Sequence, residues 1–348
     1  MAAFKKIPDN EAIRVVQVGC GSMAQGWIER TLKKPRLQLA GLVDIRRESA
    51  EKTASKYGLP PSIVYGSLKE ALAGASPHAV FDITVPTAHY DVTLQALKAG
   101  CHVLGEKPLS DNLRHARQMC ASSRKARRLY MVTQNRRHLP HMVAMTRAIK
   151  AKAIGALSSL DADFYIGAHF GGFRDLMAHV LILDMAIHTF DQARMLSGCD
   201  PKAVYCHEYN PKGSWYKGDA GAVCIFEMTN GVLFTYRGSW AAEGFNTSWE
   251  SAWRMTGSEG TIVWDGRGDP KGQIVQGKDG FQREMKELQI PAVTLEHAGH
   301  EGILDEFIQA LRSGVPPQTV CHDNIKSLAM CLAAVESAKK QKRVLVKW

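Results

Sequence analysis

The stretch IRVVQVGCGSMA, residues 13–24, decides how the first half of this 348-residue chain folds. Its β-branched run predicts a buried strand at Ile13–Val18 that ends in glycine. Gly19, Gly21 and Ala24 then form the pattern G-x-G-x-x-A, and a helical pattern follows over residues 27–33. Gly19 permits a tight turn, Gly21 leaves room for a pyrophosphate beside the backbone, and Ala24 lets the helix pack closely on the strand. Because a helix N-terminus presents N–H groups and a positive dipole end, the segment predicts a dinucleotide-binding turn.

An acidic residue follows at the position that such a turn needs. Asp44 closes the second predicted strand, 37–44. A carboxylate there can accept hydrogen bonds from an adenosine ribose and would repel a 2′-phosphate, so NAD is the expected cofactor. Arg46 and Arg47 lie just beyond and could accommodate that phosphate, which leaves NADP possible.

The rest of the first half alternates short apolar runs with helical patterns. Further strands are predicted at 79–85, His102–Gly105 and 129–133, and helices at 48–57, 89–99 and 112–127. Strands that alternate with helices of this length form βαβ units. The pattern therefore predicts an α/β fold with a parallel sheet covered on both faces.

After about residue 140 the rhythm changes. One helix is followed by strand candidates that have no helices between them, at 158–166, 203–209, 222–228, 232–240, 248–256 and 261–264. Consecutive strands predict an open, mostly antiparallel sheet. Two helical patterns, 301–311 and 324–340, close the chain.

The composition is that of a folded protein. Hydrophobic residues make up 45% and charged residues 22%, which excludes disorder, collagen and a small disulfide scaffold. The formal net charge of +10 suggests anionic partners. Its clusters at 124–128 and 339–343 end predicted helices, where the helix dipole favours cations. Since no aromatic residues interleave with them, we expect no nucleic-acid partner.

Cysteine spacing and apolar runs bear on the compartment. The 8 cysteines form no C-x-x-C pair and mostly lie in apolar runs, which predicts reduced, buried thiols in a cytoplasmic protein. Residues 1–10 have no apolar stretch behind their lysines, so no signal peptide is expected. The longest apolar run, 180–183, is too short to cross a bilayer, so no membrane partner is expected.

Two further segments, taken with the glycine turn, point to a family. Gly105-Glu106-Lys107-Pro108 ends a predicted strand, and Asp184-Met185-Ala186-Ile187-His188 lies in a helical pattern. In order and spacing the three motifs resemble those of the Gfo/Idh/MocA oxidoreductases, over nearly the whole chain. The resemblance implies an NAD-binding Rossmann domain, 1–137, and an α+β domain for substrate binding and oligomerisation, 138–348, with a large open sheet. It also implies a homodimer or homotetramer.

The resemblance places the cofactor contacts at the edge of the first sheet. The loop Thr84-Val85-Pro86-Thr87-Ala88-His89 is similar to the family segment that lies along the cofactor. With the glycine turn and the acidic residue, the expected cofactor-binding residues are Gly19, Gly21, Ser22, Met23, Ala24, Asp44, Ile45, Arg46, Thr84, Pro86, His89, Glu106 and Lys107.

Three residues match the family's catalytic positions: Lys107, Asp184 and His188. At the carboxyl end of a parallel strand, the Lys107 ammonium can hydrogen-bond a substrate oxygen and stabilise its negative charge as hydride leaves the carbon. On a helix, side chains four positions apart point to nearly one side, so Asp184 and His188 should line a cleft. The imidazole can take the hydroxyl proton near neutral pH while the carboxylate orients it. Asp191 continues the same face and is interpreted as structural.

Metal binding is the rival interpretation of Asp184 and His188, with His179 or His169 as further ligands. A zinc site needs three or four ligands with firm spacing, and no such set stands out. The resembling family typically works without metal, so no metal site is expected.

The substrate side is expected to include Arg137, Tyr165, His169 and Arg174, together with Lys107, Asp184 and His188. Segment 173–179 resembles a substrate-facing stretch that varies between subgroups. Valine stands at position 180, where proline is commoner, so the substrate stays open.

Three functions are compatible with these features. The first is an NAD-dependent dehydrogenase of a sugar, sugar acid or cyclitol. The second is an enzyme that cleaves a glycoside, neutral or anionic, by transient oxidation with tightly held NAD. The third is an NAD-binding sugar sensor without catalysis, against which the presence of Lys107 and His188 argues.

Overall fold

The first half of the chain forms a six-stranded parallel sheet with helices. The structure is a computed structural model that describes residues 4–348. Its first strands are β1 (Ile13–Val18), β2 (Leu37–Val43), β3 (Val64–Tyr65), β4 (Ala79–Asp82), β5 (His102–Gly105) and β6 (Tyr130–Val132). The helices are α1 (Ser22–Lys33), α2 (Arg47–Lys56), α3 (Leu68–Ala75), α4 (His89–Lys98) and α5 (Leu113–Ala126). The order β3-β2-β1-β4-β5-β6, with parallel pairing, confirms the predicted Rossmann sheet.

Four elements of this half depart most from the prediction: α1, β3, α3 and β4. Helix α1 begins at Ser22 rather than residue 27, because Gly21 is its N-cap. Strand β4 ends at Asp82 rather than residue 85, where its pairing with both β1 and β5 also stops. Strand β3 has only 2 residues, too few to leave an apolar pattern, and it was not predicted, nor was α3.

The turn after β1 brings the ends of two strands into backbone contact. Gly19 has φ +95°, a conformation that L side chains rarely adopt. A Cβ added there would lie 2.4 Å from the carbonyl oxygen of Ile83, which follows β4. By contrast, Gly21 has φ −70°, and an added Cβ would meet no atom within 4 Å. The fold therefore requires glycine at position 19, whereas Gly21 leaves open space at the N-terminus of α1.

The second half contains a nine-stranded sheet. Its strands are β7 (Leu157–Tyr165), β8 (Pro201–Tyr209), β9 (Gly221–Met228), β10 (Leu233–Ser239), β11 (Ala252–Gly257), β12 (Gly260–Trp264), β13 (Lys271–Val275), β14 (Met285–Leu288) and β15 (Val344–Leu345). The remaining helices are α6 (Pro140–Lys150), α7 (Ile187–Ser197), α8 (Gly299–Ser313) and α9 (Cys321–Lys340). The order is β14-β13-β12-β11-β7-β10-β9-β8-β15. Since β7 pairs in parallel with β10 and the other described pairs are antiparallel, the mostly antiparallel open sheet is confirmed.

The described chain divides into two compact units. The first extends to Gln134 and also takes in His300–Ile325, and the second comprises Asn135–Gly299 and Lys326–Trp348. In the first unit, the N–H of Val132 donates to the carbonyl of Thr319 at 3.0 Å, which fixes the returning segment beside β6. The residue pattern carries no sign of this return. The predicted domain ranges, 1–137 and 138–348, stay predictions.

One face of the nine-stranded sheet forms the core of the second unit. A row of buried side chains crosses it in register: Cys206, Cys224, Tyr236, Ala162, Trp253 and Trp264. Phe190 of α7 packs on this face, with its ring centroid 5.3 Å from that of Tyr236. The 8 cysteines of the chain are free and buried, as predicted. Within residues 4–348, no helix is both long enough and apolar enough to cross a membrane.

The opposite face of this sheet carries exposed apolar side chains. Tyr205, Val223, Ile225 and Leu233 lie on neighbouring strands β8, β9 and β10, and each is more than a third exposed. Contiguous exposed apolar side chains mark surfaces for association. We call these four residues the outer patch.

A buried ion-pair network anchors α7. Both oxygens of Asp191 accept hydrogen bonds from the Arg137 guanidinium, at 2.6 and 2.8 Å. Ser327 of α9 donates to the same carboxylate at 2.6 Å, and Arg194 lies 3.7 Å from it. Asp191 therefore joins three segments of the second unit, consistent with its predicted structural role.

Replacing Gly19 by alanine should destabilise the protein. Positive φ and the close carbonyl of Ile83 should lower the free energy of unfolding by about 2–3 kcal/mol, measured by urea denaturation. Gly21→Ala is the matched control and should change it by less than about 1 kcal/mol. Equal losses in both variants would contradict the assignment of the turn.

Replacing Asp191 by asparagine should leave buried guanidinium charge uncompensated. The expected loss is about 3–5 kcal/mol of unfolding free energy, again from urea denaturation. The exposed pair of Glu336 and Lys340 on α9 offers a control, because Glu336→Gln should cost less than about 0.5 kcal/mol. A similar small effect in both variants would show that the ion-pair network of Asp191 contributes little to the free energy of unfolding.

Candidate active site

The N-terminus of α1 is open to solvent. Gly21, Ser22 and Met23 are exposed, and the first turn has no acidic side chain. The Gly21 N-cap supplies no side-chain acceptor, so the first N–H groups of the helix are directed to whatever lies in front of it. Ala24 is fully buried, where a small side chain permits close helix packing. The open space at Gly21 and the uncapped helix end fit a pyrophosphate group.

Asp44 lies just after β2 and is held by the backbone. One carboxylate oxygen accepts from the N–H of Cys20 at 2.8 Å and the other from the N–H of Arg46 at 2.9 Å. Each oxygen keeps lone pairs that can accept ribose hydroxyls. Ile45 is fully exposed beside it, and the Arg47 guanidinium pairs with Glu51 at 2.9 Å. The surroundings of Asp44 fit the adenosine part of a dinucleotide.

The loop after β4 is fixed by a buried carboxylate. Thr84 donates its hydroxyl to Asp82 at 2.5 Å, and Nδ1 of His89 lies 3.0 Å from the other oxygen of Asp82. His89 and Asp82 are both fully buried. Because His89 is fully buried beside Asp82, its side chain positions the loop and does not lie on the loop's surface. The predicted contact of His89 with the cofactor therefore gains no support. Thr84 and Pro86 are half-buried, which leaves their predicted contacts open.

Lys107 follows β5 and is half-buried. The carboxylate of Glu106 accepts from Trp27 Nε1 at 2.9 Å and from the Lys107 N–H at 3.1 Å, which fixes the start of this segment on α1. His300 packs edge-on against Trp27, with ring centroids 5.7 Å apart. Burial lowers the pKa of His300, and the charge of Lys107 acts in the same direction. Lys107 therefore lies in a cluster with Glu106, Trp27 and His300. Of these, His300 is a histidine that was not predicted for the site.

In the second unit, Asp184 belongs to a π-helical segment, Leu181–Ala186, that continues into α7. The prediction that Asp184 and His188 share one α-helix needs this correction, because the wider π turn changes their relative direction. Arg174 donates to Asp184 at 2.6 Å. Its guanidinium also lies over the rings of Phe170 and Phe173, 5.1 and 4.7 Å from their centroids. Segment 173–179 is thus attached to Asp184.

His188 lies in the first turn of α7 and is buried. Close to the π-helical segment, Arg136 contacts the sulfur of Met185 at 3.8 Å and the Glu250 carboxylate at 3.3 Å. Burial lowers the pKa of Arg136 and raises the pKa of Glu250. The neighbouring Arg137 is used in the pair with Asp191, so its predicted contact with substrate stays a prediction.

Aromatic rings lie against His169 and against its neighbour Phe170. His169 stacks on Trp215 with ring centroids 3.6 Å apart, and its Nε2 lies 2.9 Å from Glu243. Phe170 packs against Trp240 and Trp249 at 5.2 and 6.1 Å. Tyr165 is half-buried, and burial with the nearby Asp163 charge raises its pKa. Arg174 joins this group of rings through Phe170, and His169 joins it through Trp215, whose neighbour Tyr216 stacks on Trp240.

Sequence reasoning missed several of these neighbours. Trp27, His300, Trp215 and Trp249 stand outside any motif. Their places depend on contacts between distant parts of the chain. The tryptophans of the second half were a signal that the sequence did offer, because large aromatic side chains are enriched at binding surfaces.

Comparisons with known proteins agree with the geometry. The chain matches the oxidoreductase family with an NAD-binding Rossmann fold, GFO_IDH_MocA, over residues 13–134, and the GFO/IDH/MocA C-terminal domain over 142–263. It is 24% identical over 332 residues to 1,5-anhydro-D-fructose reductase of Ensifer adhaerens, covering 92% of this chain and 95% of that protein. It is also 24% identical over 349 residues to inositol 2-dehydrogenase of Rhizobium meliloti, covering 96% and 99%.

A solved structure has the same fold. An oxidoreductase from Agrobacterium radiobacter, in complex with NAD+, L-tartaric acid and magnesium, superimposes with a TM-score of 0.82 at 21% identity, over 96% of this chain and 98% of that one. The two family matches, over 13–134 and 142–263, show that the chain belongs to the Gfo/Idh/MocA family of NAD-binding oxidoreductases.

Proposed function

We propose that the protein is an NAD-dependent dehydrogenase that transfers hydride between a hydroxyl-bearing carbon of a sugar, sugar acid or cyclitol and nicotinamide. The observation that carries the proposal is Lys107, held through Glu106 at the carboxyl end of β5, in a sheet whose glycine turn is open at Gly21. Ligands of doubly wound sheets bind at that end of the strands. The two named relatives, a sugar reductase and a cyclitol dehydrogenase, support the substrate class.

The cofactor residues fit NAD better than NADP. The N–H groups at the start of α1 would hold the pyrophosphate, and the Asp44 carboxylate would accept the ribose hydroxyls. When bound, NAD supplies the hydride acceptor. Arg47 is paired with Glu51, which leaves the exposed Arg46 as the nearer candidate for a 2′-phosphate.

Side chains of this protein would accept the proton of the substrate hydroxyl and stabilise the negative charge on the substrate oxygen. His188 would accept the proton of a substrate hydroxyl, and Lys107 would stabilise negative charge on a substrate oxygen. Asp184 holds a second substrate hydroxyl or orients the imidazole, while Arg174 fixes the Asp184 carboxylate. A general acid–base group and a positioned cation each lower the barrier by about 3–4 kcal/mol in related chemistry.

The surface of the second unit supports a sugar-like substrate. The rings of Phe170 and Phe173 flank the Arg174 guanidinium, so apolar faces stand next to a hydrogen-bonding cation. Sugars and cyclitols present both apolar ring faces and hydroxyl groups, and sugar acids add a carboxylate for the arginine. His169 and Tyr165 are retained as proposed substrate contacts.

We further propose a homo-oligomer that forms through the outer patch of the nine-stranded sheet. Its four exposed apolar side chains offer a continuous surface on β8, β9 and β10. A cytoplasmic location stays a prediction that rests on the free thiols.

Lys107→Met should abolish most turnover. Loss of the cation that stabilises the substrate oxygen should lower kcat by about 100-fold or more. Turnover is measured by NADH absorbance with the best substrate from a panel of sugars, sugar acids and cyclitols. Lys98→Met, an exposed lysine at the end of α4, is the control and should keep the wild-type rate.

Three results would contradict the mechanism or select another function. Wild-type turnover by Lys107→Met would exclude the proposed role of the lysine. Glycoside cleavage without accumulation of NADH would favour the redox glycosidase. NAD binding together with sugar binding, but without any turnover, would favour the sensor.

Thermal unfolding in the presence of nucleotide should show a preference for NAD over NADP. Asp44→Asn removes the charge that repels a 2′-phosphate and should reduce the ratio of NAD to NADP affinity by about tenfold, or ~1.4 kcal/mol. Asp91→Asn, in the first turn of α4, should leave the ratio unchanged. Stabilisation by neither nucleotide would overturn the cofactor assignment.

A further inference from the structure

Three side chains of metal-ligating types meet in the second unit. Nδ1 of His179 lies 3.0 Å from a carboxylate oxygen of Glu208 and 3.8 Å from one of Asp219. One ligand atom from each of the three residues lies within 4.8 Å of the other two. The two distances from His179 match those between atoms that share one metal ion, since ligands at about 2.1 Å from zinc lie roughly 3–4 Å apart.

The cluster is built from three separate segments. His179 precedes the π-helical segment, Glu208 lies near the end of β8, and Asp219 lies in the loop before β9. The N–H of Asp219 donates to the carbonyl of Ala178 at 2.8 Å, which fastens the loop beside His179. At Gly218, an added Cβ would lie 2.3 Å from the carbonyl oxygens of Met177 and Ala178. Glycine at this position therefore permits the close approach that brings Asp219 to His179.

The Glu208 carboxylate needs positive charge that the protein supplies incompletely. Its side chain is 2% exposed, and within residues 4–348 neither oxygen has a hydrogen-bond partner. Nδ1 of His179 is likewise buried without a hydrogen bond, so the 3.0 Å contact lacks hydrogen-bond geometry. In the described part of the chain, His179 is the one basic side chain within ion-pair distance of Glu208. Buried polar groups without partners are rare in proteins and commonly mark an ion or water.

We propose that His179, Glu208 and Asp219 bind a divalent transition-metal ion of the zinc class. An imidazole nitrogen with two carboxylates suits Zn²⁺ and its neighbours, whereas Mg²⁺ prefers oxygen ligands alone. Three protein ligands leave a fourth position for water or for an oxygen of a small molecule. The site differs from the ligand sets considered from the sequence, because Asp184 pairs with Arg174 and His169 pairs with Glu243.

A metal at this place would join segment 173–179 to β8 and to the loop before β9. The same segment carries Arg174, which holds Asp184. The ion would therefore order the side of the second unit to which we assign the substrate. Its binding does not depend on the proposed dehydrogenase activity, and it can be measured without substrate.

The test is a zinc titration of the full chain after removal of metals with a chelator. It is carried out in a Cys321→Ser background, because Cys120, Cys321 and His322 also lie within 4.8 Å of one another and could take up zinc. Isothermal titration should give one equivalent of Zn²⁺ per chain, with a rise in Tm, and Mg²⁺ should bind at least about 100-fold more weakly.

Substitutions of the proposed ligands test which side chains bind the metal ion. Glu208→Gln and His179→Gln should each weaken Zn²⁺ binding by about 100-fold or more. His141→Gln is the matched control, since His141 lies 3.2 Å from Asp269 in an exposed pair of the same unit, and it should bind as the parent does. Circular dichroism and stabilisation by NAD report folding separately, so a variant that has lost only zinc is distinguished from one that is unfolded.

Two outcomes would overturn the proposal. One is the absence of Zn²⁺ binding by the folded parent. The other is equal binding by the parent, Glu208→Gln and His179→Gln. If Glu208→Gln fails to fold, the His179→Gln and Asp219→Asn variants decide, and a cobalt-loaded parent should show an absorption spectrum that changes in each of them.

Discussion

The close approach of Gly19 to the carbonyl of Ile83 is the constraint on which the first unit depends. It lets the chain leave β1 and pass directly beside the end of β4, so the carboxyl ends of the central strands stay on one edge. On that edge lie the open N-terminus of α1, the Asp82 carboxylate that fixes the next loop, and Lys107 after β5. A side chain at position 19 would collide with the carbonyl of Ile83 and force these elements apart.

Much of this arrangement could be predicted from the residues alone. The β-branched runs of β1 and β2, the glycine turn and Asp44 follow local rules, because each depends on neighbours along the chain. Strands β13 and β14 were missed because their faces are mostly solvated and leave no apolar run. The π-helical segment was missed for another reason, since apolar spacing does not distinguish a single wide turn from an α-helix.

The sequence predicts the motif residues of the candidate site, but it does not predict the residues that support them. Lys107 and Asp184 stand in recognisable patterns, whereas Trp27 and His300 gain their importance from contacts made on folding. The three residues of the proposed metal site come from three segments, so no spacing along the chain reveals them. Long-range packing, rather than local chemistry, decides which polar groups become neighbours.

The positive charge of the chain is used in part at helix ends. Arg128 donates to the carbonyls of Gly100, Ala126 and Arg127, where α4 and α5 end. The carbonyl of Ala126 is the last one of α5 and lies at the negative end of its dipole, so the guanidinium stabilises that helix end. This agrees with the interpretation of cluster 124–128 as a helix end.

The π turn before α7 has a consequence for how this chain can vary in length. A π-helical turn is equivalent to an α-helix with one residue inserted, so removing any residue of Leu181–Ala186 would restore the α-helix. The chain before the deletion would then rotate by about 100° and shift by about 1.5 Å relative to α7. Asp184 and Arg174 could not keep both their mutual contact and their phase with His188. Substitutions along this segment can therefore be accommodated one by one, whereas a single-residue deletion would have to be compensated by an insertion close by.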